Sequence, residues 1–149
     1  MTKTVFIGAG NLATNLATEL KNHSFQIVQV FSRTISSARI LANKTDCDYT
    51  DDMRNIITDA DLYIFSISDS ALPEILLKMP QTSGVWVHTA GSIPMDIFKT
   101  YASNYGVVYP FQTFSKNRII AFKNIPVFVE ANNNETLNCL KKNVCGNFR

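Results

Sequence analysis

Thr4-Val5-Phe6-Ile7-Gly8-Ala9-Gly10-Asn11-Leu12-Ala13 is the stretch of this chain that decides its fold. An apolar run typical of a β-strand leads directly into the pattern Gly-x-Gly-x-x-Ala, and a helix-compatible stretch over residues 11–23 follows. Gly8 permits a tight turn, Gly10 lets the backbone approach a diphosphate, and Ala13 is small enough for the helix to pack on the strand. The first amides of such a helix have no partner within it and carry the positive end of the helix dipole. The stretch therefore predicts a dinucleotide site, and the alternative is a glycine-rich turn without a ligand. The predicted diphosphate contacts are Gly8, Ala9, Gly10, Asn11 and Leu12.

The end of the second predicted strand, residues 26–31, indicates which dinucleotide the site would take. Sites for NAD and FAD usually place Asp or Glu at this point, where the carboxylate binds the ribose hydroxyls. Here the strand is followed by Ser32-Arg33-Thr34, and no acidic residue occurs between Glu19 and Asp46. A carboxylate would repel a 2′-phosphate, whereas these three side chains can donate hydrogen bonds to it. The sequence thus predicts NADP(H) held by Ser32, Arg33 and Thr34; the alternative is a solvated arginine at the start of a helix.

Composition argues against several other classes of function. The chain has 149 residues, 46% of them apolar and 17% charged, as in an ordinary globular domain with a substantial core. A net charge of +2 without a basic stripe gives no electrostatic support to nucleic-acid binding. No apolar run is long enough to span a membrane and no signal peptide precedes the first strand, so a cytoplasmic protein is expected. The three cysteines, Cys47, Cys139 and Cys145, lack metal-site spacing, so no metal is expected.

Strand and helix patterns alternate along the rest of the chain. Strands are predicted over residues 26–31, 47–49, 62–67, 85–89, 106–109 and 125–129. Helices are predicted over residues 36–43, 70–78 and 94–103 and from Glu135 onward, with a helical turn at residues 51–58 capped by Asp51 or Asp52. Strands rich in Val, Ile and Phe, without clean alternation, are typical of a parallel sheet covered on both faces. We therefore expect a doubly wound, mainly parallel α/β Rossmann sheet in three layers (α/β/α), forming one domain over residues 1–149.

Two further loops follow predicted strands, at the edge where a doubly wound sheet binds its ligand. Ser68 and Asp69 lie in the first loop and are expected near the ribose and diphosphate, although capping of the next helix explains Asp69 equally well. Thr89, Ala90 and Gly91 lie in the second loop and are expected near the ribose and nicotinamide, because the small Ala-Gly pair allows close approach.

The second loop also supplies candidates for the chemistry. His88 is a candidate proton donor, and the alternative is a hydrogen-bonded histidine inside an apolar strand. Ser92 is a candidate substrate contact, and the alternative is a cap for the helix expected near Pro94.

Four segments together resemble one group of oxidoreductases. They are Ile7-Gly8-Ala9-Gly10-Asn11-Leu12-Ala13, Phe31-Ser32-Arg33-Thr34, His88-Thr89-Ala90-Gly91-Ser92 and Gly106-Val107-Val108-Tyr109-Pro110-Phe111-Gln112-Thr113-Phe114-Ser115. In these segments the chain resembles the N-terminal Rossmann domain of the DUF2520-containing oxidoreductases, relatives of pyrroline-5-carboxylate reductase, prephenate dehydrogenase and the F420-dependent NADP oxidoreductases. The resemblance covers nearly the whole chain. It implies an NADP-binding fold and a reductase or dehydrogenase, but it does not supply a substrate. Our expectation for the function is hydride transfer to a small imine or oxo substrate, carried out or supported by this NADP-dependent domain.

The resemblance also implies parts that this chain lacks or has altered. Such proteins continue into a helical C-terminal domain, absent or truncated here, that closes the substrate cleft and forms a homodimer. If that arrangement applies, this chain alone would bind NADP(H) and turn over little. Prephenate-dehydrogenase-like proteins have a His-Pro turn facing the substrate where this chain has Tyr109-Pro110, so a histidine-based role at this turn is in doubt.

Gln112 and Thr113 are candidate substrate contacts beside that turn, with Gln112 as a candidate catalytic residue. The alternative is a structural turn in which Phe111 and Phe114 pack underneath. A different class of function also stays open, namely a non-catalytic NADP(H)-binding sensor that acts through a partner.

Overall fold

Seven strands form one sheet in the computed structural model, which describes residues 1–148. They are β1 (Thr2–Ile7), β2 (Phe25–Phe31), β3 (Asp48–Thr50), β4 (Leu62–Phe65), β5 (Val85–His88), β6 (Tyr105–Pro110) and β7 (Val127–Ala131). Their order across the sheet is β3-β2-β1-β4-β5-β6-β7; β1 to β6 run parallel, and β7 pairs antiparallel with β6. The expected doubly wound, mainly parallel α/β sheet is confirmed. Because the order reverses between β1 and β4, the loops after these two strands diverge and leave a crevice at their carboxyl ends.

Helices cover both faces of the sheet, because successive side chains of a buried strand point to opposite sides. The helices are α1 (Asn11–Lys21), α2 (Ile35–Thr45), α3 (Leu72–Lys78) and α4 (Asn134–Asn143). In β1, Phe6 packs in the core under α1, α2 and α4, whereas Val5 and Ile7 pack in the core under α3. The three layers follow directly from this alternation.

Helix α1 faces the sheet with a stripe of small and medium apolar residues. Ala13, Leu16, Ala17 and Leu20 are fully buried and recur at the spacing of three and four residues that places side chains on one helical face. Because Ala13 has no side-chain atom beyond Cβ, the start of the helix can lie close to β1, and this fixes the position of its first amides.

Two of the predicted helical segments form only short 3₁₀ turns. The predicted helix at residues 94–103 is wrong: only the 3₁₀ turn Met95–Phe98 forms, after an extended Pro94 with ψ of 147°. Phe98 is fully buried against Trp86, with ring centroids 5.9 Å apart, so tertiary packing outweighs local helix preference here. The turn predicted over residues 51–58 is the 3₁₀ turn Met53–Asn55, and Asp52 caps it by accepting a hydrogen bond from the Arg54 amide at 2.9 Å.

Element ends differ from expectation where loops meet the sheet edge. Strand β4 ends at Phe65, two residues before the predicted end, and β7 begins at Val127 rather than at residue 125. Helix α4 begins at Asn134, where Asn133 accepts a hydrogen bond from the Thr136 amide at 2.8 Å, as expected for a cap.

Candidate functional site

A tight turn at Gly8 carries the chain from β1 into α1. Gly8 has a φ of +119°, which side-chain-bearing residues rarely adopt. Its amide donates to the Phe31 carbonyl at 2.8 Å, and an added Cβ would overlap the Ser66 carbonyl and lie 2.8 Å from Ile67 Cγ2. The turn is therefore closed by backbone at the end of β2 and just after β4, and only glycine fits.

The first turn of α1 is left open toward solvent. Gly10 is its N-terminal flanking residue, no side chain caps the helix, and its first turn contains no acidic residue. An added Cβ at Gly10 would meet no atom within 4 Å. Unpaired amides, a favourable dipole and free space make this helix end suited to an anion.

A cleft of about 500 Å³ lies at the carboxyl ends of β1, β2, β4 and β5. It begins at the start of α1 and extends to the start of α2. Its lining residues are Gly8, Ala9, Gly10, Asn11, Leu12, Phe31, Ser32, Arg33, Thr34, Ser37, Ser66, Ile67, Ser68, Asp69, Ile75, Thr89, Ala90 and Lys116. All the residues predicted from sequence to contact the cofactor, apart from Gly91, thus lie around one cavity.

The β2 end of the cleft is cationic. Arg33 is exposed there, and none of the ion pairs within residues 1–148 involves its guanidinium. The pKa of Glu74 on α3 is lowered, mainly by its hydrogen bond to Lys78 and to a smaller extent by the charge of Arg33. The Ser32 hydroxyl accepts a hydrogen bond from the Thr34 amide at 3.2 Å. This arrangement leaves one guanidinium and two hydroxyls at the mouth of the cleft, a set that suits a phosphate.

Side chains join the loops after β4 and β5. Ser92 donates from its hydroxyl to Asp69 Oδ2 at 3.0 Å, and Thr89 donates to Ser66 Oγ at 3.3 Å. Asp69 and Thr89 line the cleft, while Ser92 is not among the lining residues. Ser92 therefore orients the Asp69 carboxylate without lining the cleft itself.

His88 is buried at the end of β5 and is not part of the cleft lining. Its Nδ1 accepts from the Ala90 amide at 3.1 Å, and its Nε2 lies 3.4 Å from the Pro94 carbonyl oxygen. Since a carbonyl only accepts, the proton resides on Nε2 and the ring is neutral. Burial lowers the pKa of His88, which agrees with this neutral form.

Gly91 and Gln112 also lie outside the cleft lining. A Cβ at Gly91 would be 2.7 Å from the Tyr109 ring, so Gly91 makes room for that tyrosine. Gln112 lines a separate cavity and accepts a hydrogen bond from the Thr113 amide at 3.0 Å. The expected packing beneath this turn is found for one of the two phenylalanines: Phe114 is buried on Phe122, whereas Phe111 is 63% exposed.

The cleft includes residues that the sequence did not point to. Ser66 and Ile67 enter it because β4 ends early, and Ser37 enters it from the first turn of α2. Lys116 comes from the segment between β6 and β7, more than 100 residues from Gly10 in sequence. Ser37 could have been found from its position one turn beyond Arg33; no local signal marks Lys116.

Neither a metal site nor a membrane helix is evident in the part of the chain that the structure describes. No group of three or more His, Cys, Asp or Glu residues within 1–148 could hold a metal ion. Among the same residues, no helix combines the length and apolarity needed to cross a bilayer.

Comparison with known proteins gives one family match. The family model described as shikimate / quinate 5-dehydrogenase matches residues 1–83, which is more than half of the chain. No curated protein sequence matches.

Solved structures share the fold closely. The "putative NADP oxidoreductase BF3122 from Bacteroides fragilis" is 48% identical over 95% of this chain, with a TM-score of 0.87. Prephenate dehydrogenase from A. aeolicus, in complex with hydroxyphenyl propionate and NAD+, is 12% identical over 99% of the chain, with a TM-score of 0.77. The 1-pyrroline-5-carboxylate reductase from Streptococcus pyogenes is 16% identical over 99%, also with a TM-score of 0.77. The last two likenesses show the fold alone. The chain covers 56%, 57% and 56% of these three structures, so it spans a little over half of their length.

Proposed function

The chain belongs to the shikimate / quinate 5-dehydrogenase family, and on that premise we propose that it is the NADP(H)-binding domain of an oxidoreductase. One observation carries the proposal: a single cleft connects the uncapped start of α1 with the Ser32-Arg33-Thr34 segment. The name of the Bacteroides fragilis protein, 48% identical, supports the same cofactor.

The proposal assigns each part of the dinucleotide to a part of the cleft. Backbone amides from Gly8 to Leu12 hold the diphosphate, because anions are stabilised at an open helix start. The residues proposed to hold the 2′-phosphate are Ser32, Arg33 and Thr34. The residues proposed to line the ribose and nicotinamide are Ser68, Asp69, Thr89 and Ala90. Contact by Gly91, which lies outside the cleft lining, stays a prediction.

The chemistry proposed is reduction of a small imine or oxo compound, or the reverse oxidation. When bound, the nicotinamide supplies a hydride from its C4 atom, and the substrate nitrogen or oxygen takes up a proton. The protein orients the ring through the Thr89 and Ala90 loop and excludes water from it. Proton transfer or substrate contact by His88, Ser92 or Gln112 stays a prediction, since none of the three lines the cleft.

A second candidate function is an NADP(H)-responsive module that acts through a partner without turnover. One observation favours this second function: none of the three residues predicted for catalysis, His88, Ser92 and Gln112, lines the cleft. In the enzyme reading, a further helical domain completes the substrate site and forms a homodimer. Membership of the narrower DUF2520-containing group and a cytoplasmic location belong to the same proposal.

Calorimetric titration of the chain with NADPH and with NADH tests the proposal. We expect tighter binding of NADPH, and we expect Arg33→Asp to weaken NADPH by tenfold to about a hundredfold, because a charge-assisted contact contributes roughly 1.5–3 kcal/mol. NADH affinity should change much less. Arg39→Asp is the matched control, since Arg39 is exposed on α2, the helix that follows Arg33, but does not line the cleft. Absence of binding by both nucleotides, or equal losses for both in Arg33→Asp, would contradict the assignment.

A further inference from the structure

The segment between β6 and β7 places one cation in the wall of the cleft. Lys116 is the single residue of positions 111–126 that lines the cavity, and Asn11 and Leu12 of the first turn of α1 line the same cavity. Arg33 and Asp69 are the other charged residues of the lining. The two cations come from different segments, Arg33 from the end of β2 and Lys116 from the segment between β6 and β7.

A buried asparagine fixes this segment to α1. Asn15 is fully buried in the second turn of the helix. Its Nδ2 donates to the Asn11 and Ser115 carbonyls, at 2.9 Å each, and its Oδ1 accepts from the Ile120 amide at 3.0 Å. An amide side chain carries two N–H donors and a carbonyl acceptor, so Asn15 can make all three of these hydrogen bonds at once.

These contacts determine where Lys116 stands. Because Asn15 Nδ2 donates to both the Asn11 and the Ser115 carbonyls, the backbone just before Lys116 is held against the first turn of α1. Within residues 1–148, none of the ion pairs involves Lys116. A lysine beside the positive end of a helix is unfavourable by itself, and a bound anion reverses the sign of that interaction.

We propose that Lys116 is a second cationic contact for the dinucleotide, made to its diphosphate, and that Asn15 is the residue that positions it. This inference rests on the proposed NADP(H) site and adds an element from the far end of the chain. The diphosphate would then be held from one side by the α1 amides and from the other by the ammonium group. Because NADPH and NADH share the diphosphate, Lys116 contributes to the affinity of both, unlike Arg33.

The test compares three ligands on the purified chain. Lys116→Gln should weaken NADPH and NADH by about the same factor, roughly tenfold, and should leave 2′-AMP unchanged because 2′-AMP lacks a diphosphate. The loss should shrink at high salt, since it reflects a charge. Lys123→Gln is the matched control: Lys123 is exposed in the same segment, in the 3₁₀ turn Phe122–Asn124, and does not line the cleft.

The role of Asn15 is tested by coupling. In an Asn15→Leu background that folds, as checked by circular dichroism, Lys116→Gln should cost little further affinity, because the ammonium is already displaced. If Asn15→Leu does not fold, Lys116→Gln and its control decide the matter.

The outcomes separate this inference from the proposed function. Wild-type binding of NADPH with unchanged affinity in Lys116→Gln would overturn the role of Lys116 and leave the NADP(H) site standing. Loss for NADPH but not NADH would place Lys116 at the 2′-phosphate and also overturn it. If the wild type binds neither nucleotide, both the site and this inference fall.

Discussion

Gly8→Ala should lower the stability of the domain, whereas Gly10→Ala should lower its nucleotide affinity and leave the stability nearly unchanged. The two glycines lie two positions apart, yet their surroundings differ. At Gly8 the φ is +119°, and a Cβ would overlap the Ser66 carbonyl oxygen and stand 2.7 Å from its carbon. At Gly10 the Cβ would reach open space, and no positive φ has to be maintained.

The expected cost at Gly8 has two parts. Holding alanine in this backbone conformation costs about 1–3 kcal/mol, and displacing the β4 end by a methyl group costs about 1–3 kcal/mol more. Gly8→Ala should therefore lose about 2–6 kcal/mol of the free energy of unfolding, a large share of the roughly 5–15 kcal/mol that holds a domain together. Gly10→Ala should stay within about 0.5 kcal/mol of the wild type.

Nucleotide affinity, in contrast to stability, should be sensitive to the substitution at Gly10. In the proposed site the methyl group of Gly10→Ala would stand where the diphosphate approaches the α1 amides, so NADPH affinity should fall tenfold or more. Urea unfolding followed by tryptophan fluorescence measures the stability, because Trp86 is fully buried next to Phe65 and Phe98. Nucleotide titration of the same samples measures the binding. Equal destabilisation by the two substitutions, or unchanged NADPH affinity in Gly10→Ala, would refute the reasoning.

Two further predictions concern residues outside the cleft. His88 is buried and neutral, and its folded-state pKa is lowered, so the unfolded state binds a proton more readily. The stability contributed by neutral His88 is complete above the unfolded pKa of about 6.5 and is lost as the pH falls through the folded pKa. His88→Gln should therefore show a smaller fall in the free energy of unfolding toward acid pH than the wild type, as measured by urea unfolding at a series of pH values. An equal fall in the two proteins would contradict this role. Asn133→Ala should lower the free energy of unfolding by about 1 kcal/mol, because it removes the cap on the Thr136 amide, and should leave NADPH affinity unchanged. Urea unfolding and nucleotide titration measure the two quantities. Asn134→Ala, the first residue of α4, is the control, and an equal loss of stability there would contradict the capping role.

Much of the candidate site could be predicted because its parts are local in sequence. The Gly8 turn, the open start of α1 and the Arg33 segment each depend on a few consecutive residues, and a parallel sheet brings its strand ends to one edge. The doubly wound sheet follows from the same alternation of buried strands and amphipathic helices. These features required no knowledge of which distant segments touch.

The structure departs from local expectation where distant contacts outweigh local preference. The burial of Phe98 against Trp86 shortens a predicted helix to a single 3₁₀ turn, and the Tyr109 ring takes up the space beside Gly91. The hydrogen bond from Ser92 to Asp69 gives Ser92 a supporting position that its sequence neighbours do not indicate.

The sequence by itself determined the fold class, the turn that opens the cleft and the cationic end of that cleft. Tertiary structure alone decided which distant segment contributes to the cleft. Asn15 forms hydrogen bonds with residues 100 and 105 positions away and thereby brings Lys116 to the start of α1. The physical reason is the range of the interactions. Turns, caps and helix ends are set by neighbours within a few residues, whereas the partner of a buried amide is known only once the sheet has brought the distant segment to it.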